Sequence, residues 1–214
     1  MTRITVLGGT GYTGANIVQK AVEAGHTVTS YSRNEPTAPV AGVTYETGSL
    51  QNAAVRQQAV ANADVVIAAL APRGELADTF ENVYQELALL ADASGARFGV
   101  IGGFGSLRPA EGAPRFLEGD MPPEFVNEAR TLGRLLEWLI ASAPASLDWF
   151  FVSPAANYGS YAPGEELGHY RIGADVALFD AEGNSAISGP DFATAVVAEI
   201  GTPTQHRTQF SVAY

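Results

Sequence analysis

Thr2-Arg3-Ile4-Thr5-Val6-Leu7 followed by Gly8-Gly9-Thr10-Gly11-Tyr12-Thr13-Gly14 is the stretch whose reading decides the fold. Residues 2–7 form an apolar, β-branched run with little polar interruption, the mark of a buried strand. Residues 15–24 then carry Ile17, Val18, Ala21 and Val22 at helical spacing, and Gly25 is placed to stop the helix. His26 to Tyr31 reads as a second strand, ending at Ser32-Arg33. Strand, glycine turn, helix and strand in this order make the opening βαβ unit of a dinucleotide-binding domain.

The turn has a physical logic. A pyrophosphate at a helix N-terminus meets unpaired backbone N–H groups and the positive end of the helix dipole, provided no side chain blocks the approach. The glycines satisfy both Gly-x-Gly-x-x-Gly (Gly9, Gly11, Gly14) and Gly-x-x-Gly-x-x-Gly (Gly8, Gly11, Gly14). An acid at the end of the second strand would bind ribose hydroxyls and favour NAD, whereas an arginine can pair with a 2′-phosphate and favour NADP. Ser32-Arg33-Asn34, with no acid before Glu35, predicts NADP(H) in preference to NAD(H).

Outward from this unit the alternation continues. Strands are expected at 43–48, 65–70, 98–101 and 147–152, with helices over 51–62, 80–93 and 124–142 between them. That pattern predicts a Rossmann-type α/β fold, a doubly wound parallel sheet. Residues 1–154 would form the nucleotide-binding core of a single domain. Residues 155–214 would form a substrate-side appendage: a hairpin or two paired segments at 176–179 and 185–188, a helix at 191–200 and a last strand at 208–212.

Composition removes several function classes. The 214 residues include no cysteine, which excludes disulfides, thiolate metal sites and thiol nucleophiles. His26, His169 and His206 are scattered without metal-ligand spacing, so no metal is expected. The net charge of −11 disfavours nucleic acid. No apolar run approaches the length of a membrane span, and the expectation is a cytoplasmic protein, monomer or homodimer.

Several stretches together resemble a known group. The glycine turn is similar to that of atypical short-chain dehydrogenase/reductases. Gly102-Gly103-Phe104-Gly105-Ser106-Leu107, Asp148 to Ala156, Gly168 to Gly173, Gly183 to Ser188 with Asp191-Phe192-Ala193, and Arg207 to Val212 resemble the bacterial NADH–flavin reductase group, related to biliverdin reductase B and the NmrA-like proteins. The resemblance implies a bound dinucleotide, with flavin as a substrate rather than a resident cofactor. The expected cofactor-binding residues are Gly8, Thr10, Gly11, Tyr12, Thr13 and Gly14, then Ser32, Arg33, Ser49, Leu50, Ala69, Leu70 and Ala71, and finally Gly102, Gly103, Ser153 and Pro154. Phe104, Ser106, Asn157 and Tyr158 are the expected substrate walls, and Ser106 and Asn157 the catalytic candidates. Gly48-Ser49 departs from the group, where Gly-Asp is common, so a carboxylate near the adenine is missing. His169 stands where lysine is more usual.

Ordinary short-chain dehydrogenases use Tyr-x-x-x-Lys, in which the cation lowers the tyrosine pKa. The single lysine here is Lys20, and position 16 is Asn, so the pair cannot form. Flavin reduction needs no such pair, because hydride passes between stacked rings and the proton can come from solvent. The sequence therefore points to a reductase acting on a flavin or another flat small-molecule acceptor. A non-catalytic NmrA-like redox sensor is the first alternative, and an epimerase or dehydratase the second.

Overall fold

Alternating side chains along buried strands divide the core of this chain into two layers. The computed structural model describes residues 1–214. Its strands are β1 (Arg3–Leu7), β2 (Thr27–Ser32), β3 (Val43–Thr47), β4 (Val65–Ala68), β5 (Arg97–Ile101), β6 (Trp149–Pro154), β7 (Arg171–Gly173) and β8 (Thr208–Ala213). The helices are α1 (Tyr12–Glu23), α2 (Ala53–Val60), α3 (Phe80–Ser94), α4 (Pro123–Ser142) and α5 (Gly189–Gly201). All eight strands join one sheet in the order β3-β2-β1-β4-β5-β6-β8-β7, parallel except for the β7–β8 pair. This is the Rossmann-type doubly wound architecture.

Ile4, Val6, Ile67, Phe150 and Val152 point to one face, where Ile17, Val18 and Ala21 of α1 and Phe192 and Val196 of α5 cover them. Leu7, Val66, Phe98, Val100 and Phe151 point to the other, against α2, α3 and α4. In α4 the apolar stripe Leu132, Leu135, Leu136 and Leu139 is buried, while Ile140 lies one step past it and is 57% exposed. Burial on both faces leaves polar groups and ligands only the strand ends.

The expected hairpin over 176–188 does not form. The turn itself is there: Asp180 N–H donates to Asn184 O, and Asp180 Oδ1 accepts from the N–H groups of Glu182 and Asn184. Its two arms, however, find separate partners. Val176 bridges Arg108 and Ala186 bridges Asn157, both in parallel, so the loops after β5 and β6 outcompete the local pairing. The additional strand is instead β7, antiparallel to β8. The last sixty residues thus extend the sheet and, through α5, cover α1, besides forming loops at its edge.

Candidate functional site

The chain runs outward from β1 through β2 to β3 and returns beside β1 as β4, so the strand order reverses between β1 and β4. A crevice opens at the carboxyl ends of the strands flanking such a point. The glycine turn fills its floor. Gly8 has φ +83°, and a Cβ there would stand 2.5 Å from Ala69 O, the first residue after β4. A Cβ on Gly14 would lie 2.2 Å from Gly8 O, and one on Gly9 would lie 2.2 Å from Ser30 Oγ. Gly8 and Gly14 let the turn, the end of β4 and the start of α1 meet backbone to backbone, and Gly9 leaves room for the Ser30 side chain of β2. On the open side, a Cβ on Gly11 would meet only Gly8 O, at 3.3 Å.

No side chain caps α1 at Gly11, and the first helical bond runs from Ala15 N–H to Gly11 O. The N–H groups of Tyr12, Thr13 and Gly14 therefore remain available at the positive end of the helix. A pyrophosphate fits this cradle by charge, by hydrogen-bond direction and by the space the glycines leave.

Beyond the cradle, Ser32 Oγ donates to Asn34 O, which turns the chain at the end of β2. Arg33 is exposed, with Nη1 3.4 Å from where a side chain on Gly74 would begin, so it leans over the loop after β4. Ser49 follows β3, whereas Leu50 is buried in the core. A cavity of about 370 Å³ opens between the glycine turn and the loop after β2, with Gly9, Thr10, Asn34, Glu35 and Tyr45 in its wall.

The other half of the crevice is organised around a buried network. Ser106 Oγ donates to Gly103 O at 2.7 Å, accepts from Gln209 Nε2 at 2.8 Å, and lies 2.9 Å from Ser153 Oγ. Gln209 Nε2 also donates to Ser153 Oγ, and Gln209 Oε1 accepts from Arg115 Nη1 at 2.7 Å. A hydroxyl has one proton and two lone pairs, and those of Ser106 are taken. Ser106 is 1% exposed and Ser153 fully buried. The expectation of Ser106 as a catalytic or substrate-contacting group is corrected accordingly: it ties the turn after β5 to β6 and β8. Ser153 does the same from β6, through its side chain.

The turn after β5 presents Phe104, half-buried, stacked on Phe116 with centroids 4.6 Å apart, and Phe179 stands edge-on at 6.4 Å. Asn157 is exposed; its main chain is held by Ser185 O and Ile187 N–H, leaving the side chain free beyond the end of β6. Tyr158, expected as a substrate wall, lies elsewhere. Its hydroxyl donates to Thr13 Oγ1 at 2.8 Å and its ring packs on Tyr12 and Phe192. Burial, above all, raises its pKa, so it stays protonated and braces the glycine helix.

A family model described as NAD(P)H-binding matches residues 8–203, which contain the whole of this cradle. The chain belongs to this NAD(P)H-binding family. It is similar over its full length to three solved structures. One, from Burkholderia pseudomallei, carries the name "putative exported protein" (34% identity, TM-score 0.86, 100% of both chains). A second is the "putative epimerase" of Bacteroides thetaiotaomicron (28%, TM-score 0.87, 100% of this chain and 97% of the other). A third is the "putative NADH-flavin reductase" of Streptococcus pneumoniae (27%, TM-score 0.84, 100% and 99%). No helix is long and apolar enough to cross a membrane.

In this NAD(P)H-binding chain the one lysine is committed away from the crevice: Lys20 Nζ pairs with Glu166 at 2.7 Å and Glu23 at 3.1 Å. Two tyrosine hydroxyls brace the elements around the crevice. Tyr84 of α3 accepts from Leu70 N–H and donates to Ala68 O, fixing Ala69-Leu70-Ala71 at the β4 end. Tyr12 accepts from Gly189 N–H and donates to Pro163 O, joining α1 to α5 and the loop before it. The only signal for Tyr84 was a hydroxyl within an otherwise apolar helical stripe.

Proposed function

We propose that this protein is an NAD(P)H-dependent reductase, with NADP(H) preferred, whose acceptor is a flavin or a similarly flat molecule taken up as substrate. The observation that carries the reading is the aromatic step after β5, Phe104 on Phe116 with Phe179 edge-on, in a site that has no tyrosine–lysine pair. A bound reduced dinucleotide supplies a hydride. The chain's part is to hold the pyrophosphate on the N–H groups of Tyr12 to Gly14 and to offer a flat apolar wall for an acceptor ring. Asn157, exposed beyond the end of β6, is the side chain we assign to a polar edge of that ring. The Streptococcus relative's name supports this reading. The Bacteroides relative's name favours an epimerase, but that chemistry by the ordinary machinery needs the missing pair.

The test follows NADPH oxidation at 340 nm with FMN, FAD or riboflavin, alongside direct titration of NADPH and NADH. Saturable turnover that depends on the protein is the expected result, and Phe104→Ala should raise KM for the acceptor while leaving dinucleotide binding intact. Tight binding with no turnover on any flavin would replace the reductase with the dinucleotide-sensing alternative.

A further inference from the structure

The sequence lacks an acid at position 49, where the chain leaves β3. The fold brings one there from another loop. Ser49 Oγ donates to Glu75 Oε2 at 3.0 Å and accepts from Gln51 N–H, so the hydroxyl proton is directed at the carboxylate. Gln51 Nε2 in turn donates to the main-chain carbonyl of Glu75. Glu75 is thus held at both its side chain and its backbone, half-buried, while Oε1 receives no donor from the chain.

Its position matters. A dinucleotide with its pyrophosphate on the start of α1 would extend one nucleoside along the carboxyl ends of the strands, where the loops after β3 and β4 could receive its base. Ser49 belongs to the first loop and Glu75 to the second. Arg33 leans over Gly74, directly beside Glu75, so its cation offsets the charge that a carboxylate would otherwise bring near a 2′-phosphate.

We propose that Glu75, oriented by Ser49 and Gln51, accepts a hydrogen bond from the 6-amino group of adenine and makes this site selective for an adenine base. The proposal rests on a dinucleotide occupying the glycine cradle. A carboxylate can only accept, so it favours an amino group and repels a carbonyl oxygen at the same place.

Fluorescence titration of the wild-type protein with NADPH and with its hypoxanthine counterpart, in which a carbonyl oxygen replaces the 6-amino group, tests this directly. The expected Kd for NADPH is lower by about tenfold or more, the scale of a hydrogen bond to a charged group. Glu75→Ala should narrow that ratio to within about twofold. Glu75→Gln, which can donate to the oxygen, should narrow or reverse it, and a matching circular dichroism spectrum checks its fold. Equal wild-type affinities, or an unchanged ratio in both variants, would overturn the role of Glu75 while leaving the cofactor reading standing. Failure of both dinucleotides to bind would overturn both.

Discussion

Gly14 tolerates no side chain: a Cβ would sit 2.2 Å from Gly8 O, with backbone rather than a yielding side chain in the way. Gly14→Ala should therefore destabilise the protein by about 1–3 kcal/mol and weaken NADPH binding at the same time, because the turn cannot part from the helix without moving the N–H groups of Tyr12 to Gly14. Thermal denaturation and a binding titration check both, and an unchanged Tm would contradict the close packing. Arg33 makes the opposite kind of prediction, since it is exposed and its loss leaves the fold alone. Arg33→Ala should cost NADPH about tenfold in affinity and NADH little, as expected for one charge-assisted contact to a 2′-phosphate; equal losses would remove the NADP preference. Gly14 was legible in the sequence because glycine spacing is a local signal, and Arg33 is singled out there by a charge at a strand end, a role its titration has to test. Ser106 was misread for the complementary reason. Its serine type and place after β5 suit substrate contact, but Gln209, more than a hundred positions away, uses its hydroxyl from β8.

The helices and parallel strands follow the apolar periodicity within a few residues, since each is buried through a face its own sequence declares. The segment between β6 and α5 does not. Its conformation is set by Asp191, which accepts from Leu167 N–H at 2.7 Å, Gly168 N–H at 3.0 Å, Ser188 Oγ and the Tyr214 hydroxyl. Burial alone would raise the Asp191 pKa, but these donors outweigh it and hold the carboxyl below its ordinary value. One carboxylate at the start of α5 thus gathers a loop and the residue Tyr214, a pattern no window of local sequence contains. Asp191→Asn replaces an acceptor oxygen with a donor and breaks at least one of these bonds. It should cost about 1–3 kcal/mol and speed amide exchange at Leu167 and Gly168 specifically, as read by hydrogen exchange with mass spectrometry. Unchanged exchange at those two amides would show that the loop is held by other contacts.

At the scale of the whole molecule, a second buried acid ties the amino-terminal ends of the central strands β5 and β6 to α5, at the opposite end of the strands from the ligand crevice. Arg97 of β5 is 7% exposed and donates through Nη2 to Glu199 Oε1 of α5 at 2.6 Å and through Nη1 to Glu199 O, while its guanidinium lies 4.6 Å from the Phe150 ring centre. Asp148 Oδ2 stands 3.1 Å from Arg97 Nε. Glu199 also accepts from the Thr204 hydroxyl and the N–H groups of Thr204 and Gln205. Burial pushes the Glu199 pKa up, but the Thr204, Gln205 and Arg97 donors together pull it further down, so the folded protein holds this carboxyl below its ordinary value. A depressed carboxyl contributes stability that is fully present above its unfolded pKa and is lost as pH falls through the folded one. Asp191 acts with the same sign, so the urea midpoint should stay level near neutrality and drop from about pH 5 downward. Glu199→Gln removes the buried partner of Arg97 and leaves only the partly exposed Asp148 as its counter-charge, at a cost of up to about 3 kcal/mol near pH 7. Because the wild-type advantage vanishes once Glu199 is protonated, the gap between the two proteins should close toward pH 3. Urea unfolding followed by tryptophan fluorescence is suited to this, since Trp149 is buried in the adjoining strand and reports the transition. A gap that stayed constant from pH 7 to pH 3 would assign the contribution of Glu199 to packing instead of charge.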